Sequence, residues 1–107
     1  MLITPEKAFE KNLRDIFITT DGTVVEVMPD DLNGVKHQRF LILTASRHSL
    51  LIIYNIDSNP RLNISVGDKI HVEGTYVWNR YGGIIHETHS DIHKDQPDGG
   101  IVIQPKV

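Results

Sequence analysis

The stretch VGDKIHVEGTYVWNRYGGIIHETHSD, residues 66–91, decides how the rest of the chain is read. Val66, Gly67 and Asp68 form a turn signal directly before a strand pattern. Over 69–78 the residues alternate. Ile70, Val72, Tyr76 and Trp78 share one face with Gly74 between them, and His71, Glu73, Thr75 and Val77 share the other. Period-two alternation of β-branched and aromatic residues describes a half-buried strand. Gly74 in mid-strand weakens it and predicts a sharp bend or a bulge. Residues 79–83 form a tight polar loop, because Gly82 and Gly83 take positive φ at low cost. Residues 84–89 then return antiparallel. A long bent hairpin suits a small closed barrel, whose strands must coil to meet.

Upstream, Thr4 is a helix cap, Pro5 suits the first helical position, and Glu6 favours the positive end of the dipole. Phe9 and Leu13 sit four apart with Ala8 beside them, an apolar stripe on a helix over about 5–14 that covers a sheet. On its wet side Glu10 pairs with Arg14. Asp21-Gly22 reads as a turn, followed by a strand over 23–28 that Pro29 ends and a polar loop over 30–36. A second strand, 37–44, is apolar on both faces beyond Arg39, through Phe40, Leu41, Ile42 and Leu43, so its middle is expected to be buried. Ser46, Arg47 and His48 turn the chain into a third strand over 50–54, again a continuous apolar run. Residues 55–65 are irregular around Pro60, with Leu62 and Ile64 docking back. In the tail, Ile101, Val102 and Ile103 supply a short edge strand.

These elements predict a mainly β fold: a small five- to six-stranded, OB-fold-like barrel with an N-terminal helix. The helix position departs from that pattern, whose usual helix lies between the third and fourth strands, where this chain has the Pro60 loop. An SH3-like barrel, or an open sheet with a helix across it, is the alternative. The length of 107 residues fits a single domain, 1–107, with the helix at about 5–14, the barrel at about 22–91 and a tail over 94–107. Hydrophobic content of 39% provides one modest core. A formal net charge of −3 argues against a strongly basic nucleic-acid binder. The absence of cysteine excludes disulfides and thiolate chemistry. No apolar run resembles a signal peptide or is long enough to span a membrane, so the default expectation is a cytoplasmic protein with no membrane partner. There is no phosphate loop, nucleophile elbow or dinucleotide fingerprint.

Three phrases carry a resemblance: HQRF at 37–40, LLIIYNID at 50–57 followed by Pro60-Arg61, and the long hairpin motif. Together, over roughly 22–91, they resemble a family of small bacterial proteins catalogued as a domain of unknown function. The resemblance implies a small β-barrel with no established activity. Some relatives begin with an apolar leader, which the start of this chain lacks. Near the end of the motif the family pattern reads HWTHHD followed by proline. This chain keeps His86, Thr88, His89 and Asp91, but has Glu87, Ser90 and Ile92 where the family has the aromatic, the second histidine and the proline.

Three constellations are candidate sites. His86, His89, Asp91 and His93 offer nitrogen and oxygen ligands for a divalent metal such as zinc; on a strand, His89, Asp91 and His93 share one face at two-residue spacing while His86 faces the other. His37, Arg39, Asn55 and Asp57 stand near the ends of the second and third strands. If those ends approach His86, they form a polar cleft able to bind a ligand or to act as acid and base. Trp78, Arg80 and Tyr81, with Tyr54 and Tyr76, form an aromatic and basic set of the kind that stacks single-stranded nucleic acid, a partner the net charge disfavours. The leading expectation is a non-catalytic module that binds an unknown ligand or partner through His37, Arg39, Asn55, Asp57, Trp78, Arg80, Tyr81 and His86, with no catalytic residue assigned and no certain cofactor. The rivals are a metal-dependent hydrolase or nuclease on His86, His89 and Asp91, and a self-associating structural protein. The latter would be a homo-oligomer pairing the edges at 50–53 and 101–103.

Overall fold

A computed structural model of the chain describes residues 3–88 and 99–104. The protein is mainly β: one short helix, α1 (Pro5–Glu10), and six strands, β1 (Arg14–Asp31), β2 (His37–Leu43), β3 (Ser49–Asn55), β4 (Lys69–Val77), β5 (Ile84–His86) and β6 (Gly100–Ile103). The sheet order is β1-β2-β3-β5-β4-β6, and β1 also pairs with β4. Every neighbour is antiparallel except β3 and β5, which run parallel. The pairings β1-β2-β3-β5-β4 therefore return to β1.

α1 begins as its sequence predicts. Thr4 Oγ1 accepts from the Lys7 N–H at 3.1 Å, and Pro5 fills a position that needs no amide hydrogen. It ends at Glu10, not near Arg14. Asn12 turns to φ 53°, a left-handed conformation that asparagine tolerates, and the Leu13 N–H folds back onto the Ala8 carbonyl at 3.0 Å. Arg14 consequently starts β1, and Glu10 pairs with Lys7 at 3.5 Å instead. The helix is held against the sheet by fully buried Ala8, by Phe9 stacked on Trp78 (6.0 Å, 15°) and edge-on to His48 (5.2 Å), and by Glu6. The Glu6 carboxylate accepts from the hydroxyls of Thr44, at 2.7 Å, and Ser46. Burial pushes its pKa up, but those two hydrogen bonds outweigh burial and leave it below its ordinary value.

β1 is eighteen residues long and includes Asp21-Gly22, which the sequence presents as a turn. Asp21 pairs with His71 and Gly22 with Ile70, while from Thr23 onward the strand pairs with β2. Gly22 stands where β1 passes from one partner to the other. A Cβ there would lie 2.8 Å from Ile42 Cδ1, so glycine serves close approach, not chain reversal. Pro29 does not end the strand either; it falls within a register shift between Met28 and Asp31, a tolerated place for a residue with no N–H.

The hairpin that opened the reading forms β4 and β5. Ile70, Val72, Gly74 and Tyr76 point inward and are buried. The predicted bulge at Gly74 is absent, since the β1 register runs through Ile18↔Gly74 unshifted. The residue is glycine because a Cβ would meet the His86 carbonyl at 2.6 Å. β5 stops at His86, three residues short of the expected 89, because Glu87 takes φ 54° and buried Thr88 hooks back to donate to the Ile53 carbonyl at 2.9 Å. In the loop, Gly82 and Gly83 have φ 121° and 113°, as expected, and the Tyr76 hydroxyl donates to the Gly82 carbonyl at 2.9 Å.

β2 is not buried through its middle. Gln38, Phe40 and Ile42 point in, while Leu41 and Leu43 are half-buried on the outside. β3 behaves in the same way, with Leu50 and Ile52 inside and Leu51 and Ile53 outside. The β3 edge offered for self-pairing is occupied by β2 along its length and by β5 at Leu51 and Ile52. The tail strand β6 forms as expected and takes the edge of β4 at Ile70–Glu73 that β5 leaves. The irregular segment after β3 is pinned by Gln38, whose amide bonds both the carbonyl (3.0 Å) and the N–H (2.7 Å) of Leu62. Among the described residues no helix is long and apolar enough to cross a membrane, which says nothing of strand-built spans.

Candidate functional site

Parallel pairing of β3 with β5 sets the site. Leu51 lies beside Ile84 and Ile52 beside Ile85, so one further step brings His86 level with Ile53. On its other edge β3 pairs Asn55 directly with His37 of β2. Alternation puts Ile53, Asn55, Ile84 and His86 on the outer face together. They line an open cleft of about 470 Å³, within the range of small-molecule sites. Its floor is apolar: Ile53, Val77 and Ile84. Its rim is polar: His37, Asn55, His86 and Glu87.

The polar groups are held in different ways. Asn55 Oδ1 accepts the N–H groups of Asp57 (2.8 Å) and Ser58 (3.2 Å), which fixes the amide at the end of β3. His86 Nδ1 lies 3.7 Å from Glu87 Oε1, and Glu87 Oε2 accepts from Thr75 Oγ1 at 3.4 Å. No described residue hydrogen-bonds the His37 ring. A second hollow, also about 470 Å³, continues along the same outer face past Leu51, lined by Met28, Leu41, Ser49, Leu51 and Tyr81.

Of the residues singled out in the sequence, His37, Asn55 and His86 come together in the first hollow, and Tyr81 borders the second. The others have other employment. The Arg39 guanidinium bonds the Pro29 carbonyl through Nε (3.2 Å) and Nη2 (2.8 Å) and braces the end of β1. Asp57 Oδ2 accepts the Lys36 N–H at 2.9 Å, tying two loops. Trp78 packs against the core with one ring face under Phe9, and its buried Nε1 has no partner among the described residues. Arg80 lies over the Tyr81 ring (4.9 Å) and donates to its hydroxyl at 2.6 Å. Tyr76 is wholly buried, so the expected aromatic stacking surface loses it and keeps Tyr81, which is 70% exposed, and the partly exposed Tyr54. His89, Asp91 and His93, named as metal ligands, lie outside the described residues. Among the described residues no three His, Asp or Glu side chains gather as a metal site.

The apolar floor is not among the sequence-derived site residues. Ile53 falls in the continuous apolar run over 50–54 and Ile84 in the returning strand, and both belong to strands whose alternate residues fill the core. The signal was the surplus: more apolar side chains on β3 than one buried face can use.

A family model described as Protein of unknown function (DUF3465) matches residues 4–107. The chain belongs to this family. The match bears out the resemblance carried by the three phrases and extends it to the N-terminal helix and the tail. No curated protein and no solved structure matches the chain.

Proposed function

We propose that the circuit β1-β2-β3-β5-β4-β1 is a small OB-fold-like barrel, capped at one end by α1, and that this DUF3465 protein is a non-catalytic binding module. Its ligand occupies the outer cleft between β3 and β5. The observation that carries this reading is the convergence of His37, Asn55 and His86 over an apolar floor of Ile53, Val77 and Ile84. Ile53, Val77 and Ile84 are partly exposed and adjoin one another on one outer face, and a contiguous apolar surface of this kind suits a binding site. The neighbouring hollow near Tyr81 extends the surface for a longer ligand.

Catalysis has less support. The His86 and Glu87 side chains lie 3.7 Å apart, beyond hydrogen-bond distance, and among the described residues His37 has no carboxylate partner. Single-stranded nucleic acid is disfavoured by the net charge of −3 and by the loss of Tyr76 and Trp78 from the stacking surface.

The test is a neutral apolar dye, Nile red, titrated with the native protein and with Ile84→Glu, whose fold is checked by circular dichroism. Enhanced fluorescence that the substitution abolishes supports the cleft. Fluorescence that never rises, or that Ile84→Glu leaves unchanged, overturns it.

A further inference from the structure

The polar groups at the cleft that have no hydrogen-bond partner among the described residues are all able to donate. Asn55 Oδ1 is taken by two backbone N–H groups, which leaves its NH₂ to face outward. No described residue bonds that NH₂ or either nitrogen of His37, and His86 Nδ1 has only the distant Glu87 carboxylate beside it. An imidazole carries at least one N–H in every protonation state, so both histidines offer a donor. His37 and Asn55 are direct cross-strand partners, a relation that holds same-face Cβ atoms about 5 Å apart. Both therefore stand side by side at the edge of the apolar floor.

An occupant that satisfies this arrangement needs a multivalent acceptor joined to an apolar body. A carboxylate fits best, with about four lone-pair sites on two oxygens and no hydrogen of its own. Resting on the cleft reading above, we infer that the site takes a small organic acid: its carboxylate accepts from His37 and the Asn55 NH₂, and its hydrocarbon part lies over Ile53, Val77 and Ile84. Glu87 sets the orientation. Its carboxylate, which holds the Thr75 hydroxyl beside His86, repels a second negative charge at that end. The acid enters head toward His37 and Asn55, and a monoacid is preferred to a diacid of the same length.

The experiment is a titration of ¹⁵N-labelled protein with octanoate, 1-octanol and octanedioate. It is followed at the His37 and His86 ring signals and the Asn55 side-chain amide. Octanoate is expected to shift all three and to bind about tenfold tighter than octanol, the increment of one charge-assisted hydrogen bond. Octanedioate is expected to bind more weakly than octanoate. His37→Ala should bring octanoate down to the affinity of octanol. If octanol and octanoate shift the cleft with equal affinity, the acid assignment is overturned and the cleft stands. If no probe shifts these signals, both are overturned.

Discussion

On β2 and β3 the inward side chains Phe40, Ile42, Leu50 and Ile52 have no solvent exposure, whereas the outward Leu41, Leu51 and Ile53, no less apolar, keep part of their surface wet. The two faces share a backbone and a composition and differ in what covers them. The inner face meets β1, β4 and β5 across the core. Among the described residues the outer face is only partly covered along the hollows at Leu51 and Ile53. Apolar surface left in water contributes little to folding, and the proposed ligand would cover it. The polar pins support the same division: Gln38, on the inner face, ties a loop to the core, while His37 and Asn55, on the outer face, are turned toward the cleft.

That contrast is broken most severely from inside. Phe40→Ala should cost about 3–5 kcal/mol by leaving a cavity in the centre of the core, read as a fall in the urea midpoint. A much smaller loss would mean that the inner face is less tightly packed than its burial indicates. Gly74→Ala is the next largest. Its methyl group would press on the His86 carbonyl and the Thr88 side chain, at 2.6 and 2.8 Å, for about 1–3 kcal/mol. Because β5 must yield, Nile red binding should fall together with stability. Unchanged dye binding in a destabilised variant would separate β5 from the cleft. Ile53→Ser in the floor of the cleft, where the side chain is only partly buried, is expected to cost about 1 kcal/mol, well below Phe40→Ala. It should nevertheless lose most of its Nile red binding. A large destabilisation would make Ile53 a core residue and remove the contrast between the faces.

A smaller effect belongs to the outer face of β4. His71 Nδ1 lies 2.9 Å from Asp21 Oδ1, and Nε2 lies 2.9 Å from Glu73 Oε2. A neutral imidazole has one N–H and can donate to only one carboxylate, so the full arrangement requires the imidazolium. Hydrogen bonds first to Glu73 and then to Asp21 raise its pKa above the ordinary 6.5. The contribution is therefore complete below about pH 6.5 and is lost as pH rises through the higher folded-state value. With the side chain 36% exposed, solvent screening limits it to on the order of 0.5 kcal/mol. Melting temperature should decline with rising pH in the native protein more than in His71→Asn; parallel curves would remove the bridge from the account.

Local signals made several elements legible before any coordinates. Thr4-Pro5-Glu6 opens α1, the alternation from Ile70 to Tyr76 gives β4 and its buried face, Gly82-Gly83 form the turn, and Ile101–Ile103 pair at an edge, because each depends on neighbours in the chain. The passage of β1 through Asp21-Gly22 and the wet side of β3 were not legible, because each is set by a partner far away in sequence: Ile42 against Gly22, β5 beside β3. A dipeptide that suits a turn equally suits a strand that must pass close to another, and a continuous apolar run does not say which of its faces will be covered. The chain thus determined on its own its family, its mainly β character and the individual residues His37, Asn55 and His86. Only tertiary pairing decided that these three meet over Ile53 and Ile84, since a cleft is a relation between strands and has no local code.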